Sequence, residues 1–276
     1  MRLPTFLGRR QPFAEPGSAG RERKAARDVR LLRHQFRAEQ KLFWRSSELA
    51  FFTFLLPIIF LFLLGYAYGD EEIDGVRGYN FLLAGMLGYG VAATSSGLAI
   101  ILVLRREAGT LKRLRATPLP PATYIAAALG SIIFVFVIEA AVLIALARVV
   151  FDVPVPDRIA SLALAILFGA AAFAAMGVAL TTAIRSGEGA SAVINAVFLP
   201  VTFISGSFFS PESFPDALQV VAEILPLKHF IVLVRDIVIE GEEIWSFPGE
   251  LAVVAAWGIA CTIVAARRFR WEPVEG

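Results

Sequence analysis

Apolar and polar residues in this chain are segregated into long blocks instead of alternating at short period. Six blocks, at about 49–68, 81–104, 122–147, 159–184, 190–209 and 248–266, are almost free of charge. Each reaches about the 20 residues that a helix needs to cross the hydrocarbon of a bilayer. The last is the shortest and has Glu250 at its edge, yet it still crosses with little tilt. Backbone groups in lipid must be paired within their own segment, so these blocks are predicted as helices and not strands. The predicted fold class is all-α and integral to the membrane, with six transmembrane helices.

Two further elements flank the spans. Winding 28–45 at about 100° per residue places Arg30, Arg33, His34, Arg37, Lys41 and Arg45 on one arc. Val29, Leu31, Leu32, Phe36, Leu42 and Phe43 take the other side, and Trp44 sits where an interfacial aromatic is expected. This is an interfacial elbow helix; its charge pattern serves either simple lipid anchoring or contact with a cytoplasmic partner as well. Residues 210–240 are apolar in patches but interrupted by Asp216, Glu223, Lys228, His229, Arg235 and Asp236. They predict two short helices, 214–225 and 227–239, broken at Pro226 and dipping into the outer leaflet without crossing. Residues 1–27, with Pro12, Pro16, Gly17 and Gly20, read as a flexible tail, and 1–47 hold no apolar stretch of signal-peptide type.

Composition agrees: 57% of the 276 residues are hydrophobic and 18% charged, more apolar surface than a soluble core of this length buries. A net charge of +2 argues against a globally basic nucleic-acid binder. The basic residues are unevenly placed instead. The N-terminal region, 105–121, the turn at Arg185 and the tail after Ala266 together hold 21 of the 26 Lys and Arg, which puts that side, with both termini, in the cytoplasm. A multi-pass protein of a bacterial plasma (inner) membrane is expected. The single cysteine, Cys261, lies in an apolar block, so no intrachain disulfide is available.

Candidate chemistry is sparse. Glu139 is the one ionisable group well inside a span, and a lone carboxylate supplies neither an acid–base pair nor a metal cage. It is either a structural group facing other helices or a contact for substrate or proton. His34 and His229 fall on opposite sides of the membrane in this topology and cannot share a site. Nothing matches the glycine-rich loop that cradles nucleotide phosphates, so the energy for uphill transport would come from another polypeptide. Six helices with few polar faces enclose little volume, which favours two copies building a pathway between them.

The loop at 105–121 predicts a short helix that presents Leu111 and Leu114 among basic residues and is stopped by Pro118, a shape suited to a groove on a soluble partner. Its string Glu107, Gly109-Thr110-Leu111, Leu114 and Thr117-Pro118 lies between the second and third spans. A second string comprises Asn195, Pro200, Ser205-Gly206-Ser207-Phe208-Phe209, Phe214-Pro215, Leu225-Pro226-Leu227 and Arg235. In this layout the two strings resemble the permeases of type-2 ATP-binding-cassette exporters over about 28–270. The resemblance implies that Glu107, Gly109, Thr110, Leu111 and Leu114 dock on a separate nucleotide-binding ATPase subunit, which holds the ATP and Mg²⁺ that this chain has no motif for. Gly109 and Thr110 also fit ordinary helix-start chemistry. The resemblance further implies a substrate path at the interface with a second permease copy, for which Phe198, Thr202, Phe203 and Glu139 are the candidates. Ordinary helix packing is the alternative for these.

Trp44-Arg45-Ser46-Ser47-Glu48 leading into 51–57 resembles the drug and lipid exporters of that family more than its polysaccharide permeases. Export of a hydrophobic drug-like or lipid substrate is therefore expected, with a lipid-linked polysaccharide as the alternative. A membrane-embedded lipid-modifying enzyme or an ion-coupled carrier is disfavoured by the few ionisable groups.

Overall fold

In the computed structural model, residues 18–73, 75–154, 156–184 and 186–272 are described, apart from the side chains of 18–25, 48 and 49. Ten α-helices follow in chain order among them: α1 Ser18–Arg45, α2 Ser47–Tyr68, α3 Gly78–Glu107, α4 Thr110–Arg115, α5 Pro121–Phe151, α6 Ile159–Leu180, α7 Ala190–Ile204, α8 Asp216–Ile224, α9 Pro226–Glu240 and α10 Pro248–Arg268. A minimal antiparallel hairpin, β1 Glu72–Ile73 with β2 Val76–Arg77, turns the chain from α2 into α3. Helices α2, α3, α5, α6 and α10 are each long and apolar enough to cross a membrane, and the protein is an all-α integral membrane protein.

Helix α3 is the spine, buried along most of its length by α2, α5, α6, α7 and α9. Small residues on its surface let neighbouring backbones close in, as is usual where helices pack in lipid. Gly85 shows the need most plainly: a Cβ there would lie 2.2 Å from the carbonyl oxygen of Ser207. The core that α3 shares with α9 is made by Phe81, Leu87, Phe230, Ile231 and Val234, all buried. Helices α8 and α9 are bent by 81° at the Leu225–Pro226 break, the corner expected at Pro226.

Five helices differ in extent from the sequence reading. The elbow helix begins at Ser18, not at 28, because 21–27 are almost all strong helix formers; of the expected tail, 1–17 lie outside the described residues. Helices α3 and α5, 30 and 31 residues long, overrun their predicted spans at both ends and are each about 45 Å long at 1.5 Å per residue. Helix α6 stops at Leu180 because the Thr181 and Thr182 hydroxyls bond back to the carbonyls of Val178 and Ala179. The fifth expected span, 190–209, is a helix for only 15 residues, or about 22 Å. Beyond Ile204 the chain runs irregularly, with Gly206 at φ +91°, and Ser205 and Ser207 are buried in protein. Non-helical backbone at membrane depth is tolerated where protein covers it, and α3 covers it here through Gly85.

Candidate coupling site and pathway residues

The loop at 108–120 joins the overlong ends of α3 and α5. Helix α3 ends at Glu107, and Gly109 takes φ +67°, a left-handed conformation that glycine adopts at no steric cost, so the chain reverses into α4. The Gly109 carbonyl accepts from the Arg113 N–H at 3.1 Å, and the Thr117 hydroxyl closes the far end by donating to the Leu114 carbonyl at 2.6 Å. Six residues are too few for a helix to persist alone. What holds α4 is Leu111, which is fully buried against Leu98, Leu102, Tyr124, Ala128 and Val178.

That burial corrects the expected docking plug. Leu111 anchors the loop to its own chain and is not available to a partner, whereas Leu114 is half-buried on the rim, flanked by exposed Lys112, Arg113 and Arg115. Residues three apart share a helix face, so both leucines turn toward the same cluster, with Leu111 inside it and Leu114 at its edge. Thr110 is half-buried at the start of the helix, and Glu107 is exposed, its carboxylate lying over Gly187 in the connection between α6 and α7.

Two adjacent arginines, counted in the sequence only as positive charge, fix the base of the loop. Arg105 donates to Glu39 of α1 and, at 2.8 Å, to the Tyr124 hydroxyl of α5; its salt bridge with Glu39 is also 2.8 Å. Arg106 turns the other way, is 3% exposed, and donates to the carbonyls of Thr181 and Ile184 just past the end of α6. The first is the C-cap carbonyl of α6 and the second lies in the connection beyond it, so one guanidinium satisfies two carbonyls that no helix pairs. Gln40 adds a second tie from α1, donating to the Ser131 carbonyl and hydroxyl of α5 at 3.0 and 2.9 Å. The readable signal was Glu39, an acid on the apolar side of a largely basic helix. Nothing in the sequence names its partner 66 residues away.

The candidate pathway residues are not brought together. Phe198 lines a cavity of about 340 Å³ between α3, α6, α7 and α10. Thr202 is fully buried, with its hydroxyl turned back to the carbonyls of Phe198 and Leu199 at 3.0 and 2.9 Å. Phe203 is 44% exposed on the outer face of α7 and stacks on Phe209. Glu139 is 1% exposed, pressed against Gly90 and away from that cavity's wall, with neither carboxylate oxygen hydrogen-bonded.

Residues 30–239 match the family model described as ABC-2 type transporter. The chain is also similar to the putative transport permease YvfS of Bacillus subtilis, at 26% identity over 79% of this chain and 89% of that protein. It is 29% identical to the inner membrane transport permease YhhJ of Escherichia coli over 61% of its own length, and that match spans about half (46%) of YhhJ. Since the family model covers most of the chain, including the loop around α4 and the bent α8–α9 pair, the chain belongs to the ABC-2 type transporter family and is a multi-pass membrane permease.

Proposed function

We propose that this permease exports a hydrophobic drug-like or lipid substrate, driven by ATP that a separate subunit hydrolyses. The observation that carries the reading is α4: a short helix locked onto its own chain by Leu111, held at the end of two overlong helices, with Glu107, Lys112, Arg113, Leu114 and Arg115 left at its surface. Such a rigid charged projection suits docking more than it suits catalysis. Two copies are proposed to form the path. Helices α2 and α7 support this, since both leave large apolar side chains outward, among them Phe51, Phe52, Leu63, Val193 and Phe203. In this reading both termini and α4 face the cytoplasm of a bacterial cell.

The partner is tested by purification. The chain alone is expected to hydrolyse no ATP, and a cognate ATPase subunit should copurify with it and show hydrolysis stimulated by a transported amphiphile. Robust ATP turnover by the isolated chain would sink the reading. Stimulation by a lipid-linked polysaccharide and by no small amphiphile would shift the substrate to that class.

Orientation is tested separately. On a Cys261→Ser background, Gly75→Cys is expected to react with an impermeant maleimide on intact cells, and Gly109→Cys only after permeabilisation. Both glycines have open space at the Cβ position, though each has a positive φ that strains a side chain. Reversed labelling overturns the orientation.

A further inference from the structure

The cavity beside Phe198 lies midway along α3, α7 and α10 and reaches the last turn of α6, where Ala179 and Leu180 line it. Ala92 and Ser96 are about 21–27 Å along α3 from Gly78, Phe198 about 12 Å along α7 from Ala190, and Trp257 about 14 Å along α10 from Pro248, at 1.5 Å per residue. Its roof is the Leu225–Pro226 corner between α8 and α9. At about 340 Å³ it falls at the lower end of the roughly 300–1,000 Å³ of small-molecule sites.

The wall selects the occupant. None of the lining residues is charged. Two polar groups of the wall are engaged within the protein, the Ser95 hydroxyl donating to the Phe173 carbonyl and the Trp257 indole N–H to the Ile224 carbonyl at 3.0 Å, which leaves the Ser96 hydroxyl as a small polar spot in an otherwise apolar lining. A lining so largely apolar favours apolar guests over water. The rim points to where a guest comes from. Val197 is 46% and Trp257 40% exposed, so the cavity opens between α7 and α10 and is continuous with the lipid-facing surface of the spans.

We propose that this chamber binds one acyl chain of a membrane lipid, taken in sideways between α7 and α10. The chain lies beneath the α8–α9 corner and props it from within the membrane. The assignment rests on the membrane fold and stands whatever the permease exports.

The test uses the full-length protein in liposomes of phosphatidylcholine with a diazirine at mid-chain, irradiated and mapped by peptide mass spectrometry. Leu167 on α6 and Ile259 on α10, both exposed, report ordinary contact with lipid. The expected result is adducts on Met176 and Cys261 in the chamber wall, in addition to those two. Filling the chamber with Val201→Trp, or with the smaller Ser96→Leu, should reduce the Met176 adduct about tenfold, equivalent to about 1.4 kcal/mol of lost binding, and leave the Leu167 and Ile259 adducts unchanged. Each variant is judged as protein that elutes as a single species, so that misfolding cannot imitate loss of the site. Labelling of Leu167 and Ile259 with none on Met176 in the parent overturns the proposal, as does a Met176 adduct that a well-folded filled variant leaves undiminished.

Discussion

A Leu111→Asp variant is expected to insert into the membrane normally and to lose its ATPase partner. Every apolar span is untouched by the change, so insertion is preserved. Leu111 is fully buried, however, and placing a carboxylate among Leu98, Leu102, Tyr124 and Val178 costs on the order of several kcal/mol. Helix α4 has no other apolar anchor of that depth, so it leaves its seat and the docking surface dissolves. At about 1.4 kcal/mol per tenfold, assembly weakens by a hundredfold or more. Leu114→Asp acts differently. Its side chain is only partly buried at the rim, so the loop stays folded while the proposed interface gains an unpaired charge. Limited trypsin digestion separates the two: Leu111→Asp should open cleavage after Arg113 and Arg115, and Leu114→Asp should not. Lys112→Ala, on the exposed flank, should retain both assembly and protection. If Leu111→Asp keeps full assembly and stimulated hydrolysis, α4 is not the docking element.

Arg105→Ala is expected to be among the most destabilising single substitutions at this end of the molecule. Glu39 is 8% exposed and Tyr124 1% exposed, so removing the guanidinium leaves a buried carboxylate with only the Gln35 amide as donor and takes a partner from a buried hydroxyl as well. Breaking a buried pair by deleting one partner costs about 3–5 kcal/mol, whereas replacing both with apolar residues of similar size is often nearly neutral. Glu39→Met with Arg105→Met should therefore recover most of the stability that either single change loses. A double-mutant cycle from thermal unfolding in detergent measures the coupling. Single variants within about 0.5 kcal/mol of the parent would show that the tether contributes nothing to stability.

The spans were legible in the sequence because a membrane helix needs only length and apolarity, and both can be read locally. The sharp corner at Pro226 was legible for the same reason: proline's missing N–H and the charges around it act on their own segment. What escaped was set by packing between distant segments. Leu111 and Leu114 look alike in a loop pattern, and only the seat formed by α3 and α5 shows that one is an anchor and the other a rim residue. The fifth span looked complete because 190–209 carries no charge, yet its last residues leave the helix where Gly206 turns and Gly85 makes room for them. Arg105 and Arg106 read as topology signals, and that reading concealed the four hydrogen bonds they make within the chain. The elbow helix was found from its basic arc, but the side chains that fasten it, Glu39 and Gln40, lie on the face that periodicity marks only as apolar.

Arg105 and Arg106 are consecutive, and on a helix consecutive side chains diverge by about 100°. The final turn of α3 is thus a yoke, gripping α1 and α5 on one side and the end of α6 on the other. A push on α4 is not absorbed as bending of a loose loop. If α4 docks as proposed, such a push would be shared among four helices through bonds to a single turn, with Gly109 at φ +67° setting the angle between α3 and α4.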